Sequence, residues 1–141
     1  MASPAGEGVR QAGFASLMPS LSKSAEGMAR QQRFMEIIAE NIANAQTTRT
    51  SAGGPYRRQI AVSKPDPEGG AASAEVLEDP RPGRMVYDPG HPDASPDGFV
   101  EYPNVDVTSE MVDLMLARRL HEANAVVFQA AKSMLKRAIE I

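Results

Sequence analysis

Residues 105–141 read VDVTSEMVDLMLARRLHEANAVVFQAAKSMLKRAIEI, a run with neither proline nor glycine. Within it Leu116, Leu120, Ala123, Val127, Ala130, Met134 and Ile141 recur in alternating steps of four and three, closing on a step of seven. That spacing predicts a helix whose apolar seam faces other helices. The charges agree with the helix dipole: Asp106, Glu110 and Asp113 stand at the start, and Lys132, Lys136 and Arg137 near the end. Thr108 or Ser109 is expected to cap it. At a rise of 1.5 Å per residue, such a helix is on the order of 50 Å long. Val112, Met115, Val126, Phe128 and Leu135 lie off the seam. A helix apolar on so many sides needs more cover than one partner helix supplies.

A second helix is expected over residues 21–46, where Leu21, Met28, Met35 and Ile42 recur every seven residues and Ala25, Ile38, Ala39 and Ala45 fill adjacent faces. Pro19 places its start near Ser20, with Ser20 or Ser22 as cap, and leaves residues 1–20 as a flexible N-terminal extension. Asn41, Asn44 and the following threonines weaken the helix at its other end. Between the two helices, residues 47–104 hold nine of the eleven prolines and seven of the eleven glycines, a composition of turns and short strands. Strands are expected within residues 56–62, 74–77, 84–87 and 98–102. The fold class is therefore α+β: two long terminal helices, at 21–46 and 105–141, paired as an antiparallel coiled-coil-like hairpin, with a small Pro/Gly-rich β insertion at 47–104.

The chain has 141 residues, the size of one ordinary domain. With no Trp, three Tyr and four Phe, its bulk comes from aliphatic residues and eight Met, which re-pack readily against varied neighbours. A net charge of −3 points to neither a nucleic-acid nor a membrane partner. The absence of cysteine excludes disulfides, thiolate metal sites and a Cys nucleophile. No cleaved signal peptide and no transmembrane run is legible.

Catalytic motifs are also missing: there is no GxSxG, HExxH, phosphate-loop or dinucleotide fingerprint. His91 sits in the turn DPGHPDASPD (88–97) among three carboxylates, but the spacing fits no common metal loop and its three prolines describe a rigid connector. His121, one residue past Leu120, reads as a helix-surface or interface residue. Gly53-Gly54 reads as a turn, Arg57-Arg58 as a strand pair solvated on one face and paired on the other, and Glu78-Asp79 as carboxylates without a base. No catalytic residue, cofactor or metal ligand is expected.

Several short motifs carry a resemblance. Asn41-Ile-Ala-Asn44 closing the first helix is similar to the Asn-hydrophobic-Ala-Asn signature of the bacterial flagellar basal-body rod and hook proteins. Pro55-Tyr56 with the arginines after it, Tyr87-Asp88-Pro89 opening the central turn, and Pro103-Asn104-Val105 before the last helix resemble one type of proximal-rod subunit in that family. The likeness covers residues 21–141 in order. It departs in the twenty residues before the usual start and in Gln46, where the signature favours a smaller or acidic residue.

The resemblance implies a non-enzymatic subunit of the proximal rod, the drive shaft that transmits motor torque. It implies polymerisation through Leu21, Met28, Met35, Ile38 and Ile42 of the first helix and the seam of the second. The partners implied are copies of itself and other rod subunits, with basal-body ring and export-apparatus proteins nearby. It further implies a periplasmic place in the flagellum, reached through the flagellar type III system without signal cleavage. The alternatives are a sister rod or hook-junction subunit, or a soluble helical adaptor or chaperone.

Overall fold

The computed structural model describes residues 4–140. Ile141 lies outside them, and so does the interface role expected of it. The order of elements is α1 (Pro4–Ala43), β1 (Gln59–Lys64), β2 (Ser73–Glu78), β3 (Arg84–Tyr87), β4 (Phe99–Tyr102) and α2 (Val107–Glu140). The class is α+β, and all four expected strands are present.

Two expectations at the helix starts are corrected. α1 begins at Pro4 and carries Pro19 in its interior, so the extension expected over residues 1–20 is helical from Pro4 on. Proline there removes one hydrogen bond and costs about 3 kcal/mol, but the helix continues through it. Ser20 is no cap: its hydroxyl donates back to the Ser16 carbonyl at 3.0 Å. At α2 the cap is Asp106, not Thr108 or Ser109. Asp106 Oδ1 accepts the Thr108 amide at 3.0 Å and the Ser109 amide at 3.5 Å, and its own carbonyl accepts the Glu110 amide.

The chain forms two compact units, one from residues up to Gln32 with those from Arg118 on, the other from Arg33 to Ala117. In the first unit, α1 and α2 approach closely because the buried residues are small: Ser24, Gly27 and Ala131. A Cβ on Gly27 would stand 3.1 Å from Asn124 Nδ2. One residue on, the Met28 carbonyl oxygen lies 3.3 Å from His121 Nδ1.

The second unit holds two separate antiparallel hairpins. β1 pairs with β2 from Gln59 opposite Glu78 to Lys64 opposite Ser73. β3 pairs with β4 from Arg84 opposite Tyr102 to Tyr87 opposite Phe99. Alternation puts Val86 and Val100 on the inner face of the second hairpin, with Val100 fully buried, while Met85, Tyr87 and Phe99 project outward. Gly98 turns the chain into β4 with φ +87°, and a Cβ there would meet the Tyr87 ring at 2.8 Å. Only glycine fits. Ile37, Ala45, Val100 and Ala117 form the apolar core beside buried Asn41, Asp79 and Glu110.

Candidate functional site

Asn41 lies in the last turn of α1, 1 % exposed, and its amide meets four partners. Nδ2 donates to the Gln59 carbonyl at 2.8 Å and to Glu110 Oε2 at 3.2 Å. Oδ1 accepts the Tyr56 hydroxyl at 2.8 Å and the Gln59 amide at 2.9 Å. A side-chain amide has two donors and two acceptor lone pairs, so every valence is filled. One residue thereby fixes the end of α1, the entry to β1 and the first turn of α2. Burial, with the carboxylates of Glu40 and Glu110 nearby, pushes the Tyr56 phenol above its ordinary pKa and keeps it a donor.

Glu110, also 1 % exposed, gives its other oxygen to Arg58 Nε. The same guanidinium donates to Asp79 Oδ2 at 3.3 Å and stands 3.9 Å from Asp113. Burial alone would lower the Arg58 pKa, but Glu110 and Asp79 outweigh it and the cation is held more firmly. Asp79 is clasped from the other side by Arg81, whose Nη2 reaches Oδ2 at 2.5 Å and whose amide reaches Oδ1 at 3.0 Å. Arg81, by side chain and backbone, and then Arg58 hold the Asp79 carboxyl well below the usual carboxylate range. Asn104 completes the junction: its Oδ1 accepts the Arg58 amide at 2.8 Å, and its Nδ2 donates to the carbonyls of Asp79 and Arg81 at 3.1 and 2.9 Å.

The motif residues divide into three groups. Asn41, Tyr56 and Asn104 meet in this junction, with Pro103 buried and Val105 half-buried beside them. Asn44 ends α1, donating to the Glu40 carbonyl and accepting from Thr47, and half-buried Pro55 follows the turn that Gly53 opens with φ +94°. Tyr87, Asp88 and Pro89 are exposed at the tip of the second hairpin. His91 organises that tip, its Nδ1 accepting the Asp93 amide at 3.0 Å. Sequence reasoning expected the Arg57-Arg58 pair to be paired on one face, as Arg58 is, but did not name Asp79 and Glu110 as its partners and read Asp79 as idle. No local signal could pair them, since Arg58 finds its partners 21 and 52 positions along the chain.

The helix faces hold the second feature. On α2 the inward face is Glu110, Leu114, Ala117, His121, Asn124, Phe128, Ala131 and Leu135, all buried or half-buried. Leu116, Leu120, Ala123, Val127, Ala130 and Met134 are exposed throughout, Leu116 at 57 % and Val127 at 53 %. The two stripes are one residue apart, about 100° around the helix. On α1, Leu21, Met28, Met35, Ile38 and Ile42 are all half-buried. Among the described residues no three His, Asp or Glu side chains converge as a metal site, and no helix is long and apolar enough to cross a membrane.

Known proteins are similar to this sequence over most of its length. A flagellar basal-body rod protein FlgC of Borreliella burgdorferi is 35 % identical, the match covering 89 % of this chain and 97 % of that one. The FlgC of Bacillus subtilis is 34 % identical over 86 % of this chain and 95 % of its own. This chain belongs to the FlgC family of flagellar basal-body rod proteins. A FlgC of Salmonella typhimurium adds 37 % identity over 81 % of the chain and 89 % of its own length. Two family models fall on the helices: "Flagella basal body rod protein" on residues 22–49 and "Flagellar basal body rod FlgEFG protein C-terminal" on residues 97–141. The first contains Asn41 of the junction and Asn44 at the end of α1; the second contains Asn104, Glu110 and both stripes of α2. As a FlgC-type protein the chain is a structural component of the flagellar basal body.

Proposed function

We propose that this chain polymerises with copies of itself and with other rod subunits into the proximal rod, and that the outward stripe of α2 is its principal assembly surface. The observation that carries this is the exposure of Leu116, Leu120, Val127 and Met134 on a helix whose inward face is already occupied. Exposed apolar side chains in an unbroken helical stripe are a mark of a surface used for association. The half-buried residues Leu21, Met28, Met35, Ile38 and Ile42 of α1 join the assembly at its margin.

The two helices pair antiparallel, in coiled-coil fashion. Within the first unit Gly27 adjoins Asn124, and Met28, one residue further along α1, meets His121, three residues earlier in α2, the opposed directions of an antiparallel pair. The buried polar junction then transmits torque: it ties both helix ends to the hairpins through charge-assisted bonds rather than through apolar packing that can slide. The subunit works in the periplasm after type III export, with ring and export proteins as neighbours, and performs no chemistry.

Replacing Val127 with Asp tests the reading in a strain lacking the chain's own gene. A carboxylate at a covered apolar contact costs several kcal/mol at each repeat of the rod, so swimming is expected to be lost while the variant is still secreted. The exposed-turn variant Glu68→Gln is expected to swim normally. A Val127→Asp strain that swims normally would remove the stripe as an assembly surface.

A further inference from the structure

The outer face of the β3–β4 hairpin has no cover within the second unit, although it is apolar and built. Tyr87 and Phe99 pack edge to face at 5.3 Å, with Met85 beside Tyr87 on the same side of β3, and all three are exposed. An open groove of about 440 Å³ adjoins it, lined in part by Met85, Phe99, Pro92 and Glu101. Residues 84–102 hold four carboxylates, Asp88, Asp93, Asp97 and Glu101, against the single cation Arg84. Arg84 is turned onto the Tyr102 ring, 5.2 Å from its centre. Asp93 and Glu101 have arginine partners, while Asp88 and Asp97 are exposed and enter no ion pair among the described residues.

The border of the outward stripe of α2 has the opposite sign, carried by Arg119 and Arg137; Lys132 and Lys136 lie on the other side of the helix, and the carboxylate of Glu122 is engaged with Arg118. Arg119 and Arg137 are eighteen residues apart, five turns of helix, so they border the same side of the stripe formed by Leu120, Val127 and Met134. Neither makes an ion pair among the described residues.

We propose that the outer face of the β3–β4 hairpin receives the outward stripe of α2 from a second copy of this chain, Met85, Tyr87 and Phe99 against Leu120, Val127 and Met134, with Asp88 and Asp97 facing Arg119 and Arg137. This rests on the assembly role of the stripe and names what covers it. The contact is heterologous: the hairpin of one copy meets the helix of another, leaving the pair one unfilled surface of each kind. Such contacts propagate into an open helix rather than closing on a dimer, the symmetry a rod needs.

The absence of cysteine from the chain makes the test clean. Full-length Tyr87→Cys and Val127→Cys variants, both altered at exposed positions, are mixed at high concentration and oxidised, with Glu68→Cys replacing Tyr87→Cys as control. The 87–127 product is expected about tenfold above the 68–127 product, because docking raises the effective concentration of a thiol pair. Adding Arg137→Glu to the helix partner should cut that yield severalfold, and Asp97→Lys on the hairpin partner should restore it. A 127–127 product with 87–127 at control level would overturn the hairpin as receiver while leaving the stripe an assembly surface. All products at control level would overturn both.

Discussion

Asn41 and Arg58 ask the most of single side chains in this molecule. Exchange of Asn41 for Leu leaves the Tyr56 hydroxyl, one Glu110 oxygen and both backbone groups of Gln59 without their partner. Unsatisfied buried polar groups cost about 1–3 kcal/mol each, partly recovered by relaxation and water. The expected loss is about 3 kcal/mol, read as a lower urea midpoint. Arg58→Met should be at least as damaging, about 3–5 kcal/mol, since breaking one side of a buried ion pair strands the other charge. Here the stranded carboxylate is Glu110, 1 % exposed. Asp79 sets the acid limit of stability. Its folded pKa is depressed by Arg81 and Arg58, below the value of about 3.9 in an unfolded chain. Its contribution is thus complete above about pH 4 and drains away as pH falls toward the folded value. Unfolding followed between pH 7 and pH 2 should show a steep acid limb in the wild type and a flatter one in Asp79→Asn. Equal slopes would show that Asp79 is not the group responsible.

Turns and helix phases obey different rules, and the elements show it. Gly98 combines φ +87° with a Tyr87 ring that a Cβ would strike, so Gly98→Ala should cost about 1–3 kcal/mol of local strain. Amide exchange should quicken in β3 and β4 while β1 and β2 keep their protection. The strands were legible in the sequence because proline, glycine and aspartate bound each one, and those residues act locally. The helices were legible as helices for the same reason. Their ends were less so: Asp106 caps α2 where Thr108 and Ser109 looked equally able, and a lone proline at 19 could not stop a run of good helix formers. The inward phase of α2 was not legible, because hydrophobic periodicity follows the most apolar stripe. Ala117, His121, Asn124 and Ala131 lie inside instead, where small and hydrogen-bonding side chains let the helices approach. The stripe the pattern picked out, from Leu116 to Met134, was a true apolar face that the chain's own fold leaves open. The polar junction was equally hidden, since its pairings span the whole second unit.

At the scale of the whole molecule the account is one of incomplete burial. The polar junction of the second unit is buried and hydrogen-bonded within the chain, while apolar side chains on α2 and on the second hairpin stay exposed. The central claim is that the outward stripe of α2 is open in the free subunit and covered in the rod. Val127→Cys, the sole thiol in the chain, measures this through its rate of maleimide labelling in dilute monomer and in isolated basal bodies, beside Glu68→Cys on an exposed turn. The account predicts fast labelling of both positions in the monomer, and in basal bodies protection of position 127 by about tenfold or more, as expected of a site drawn into a close-packed interface core, with position 68 still open. Equal labelling of position 127 in monomer and basal body would contradict it.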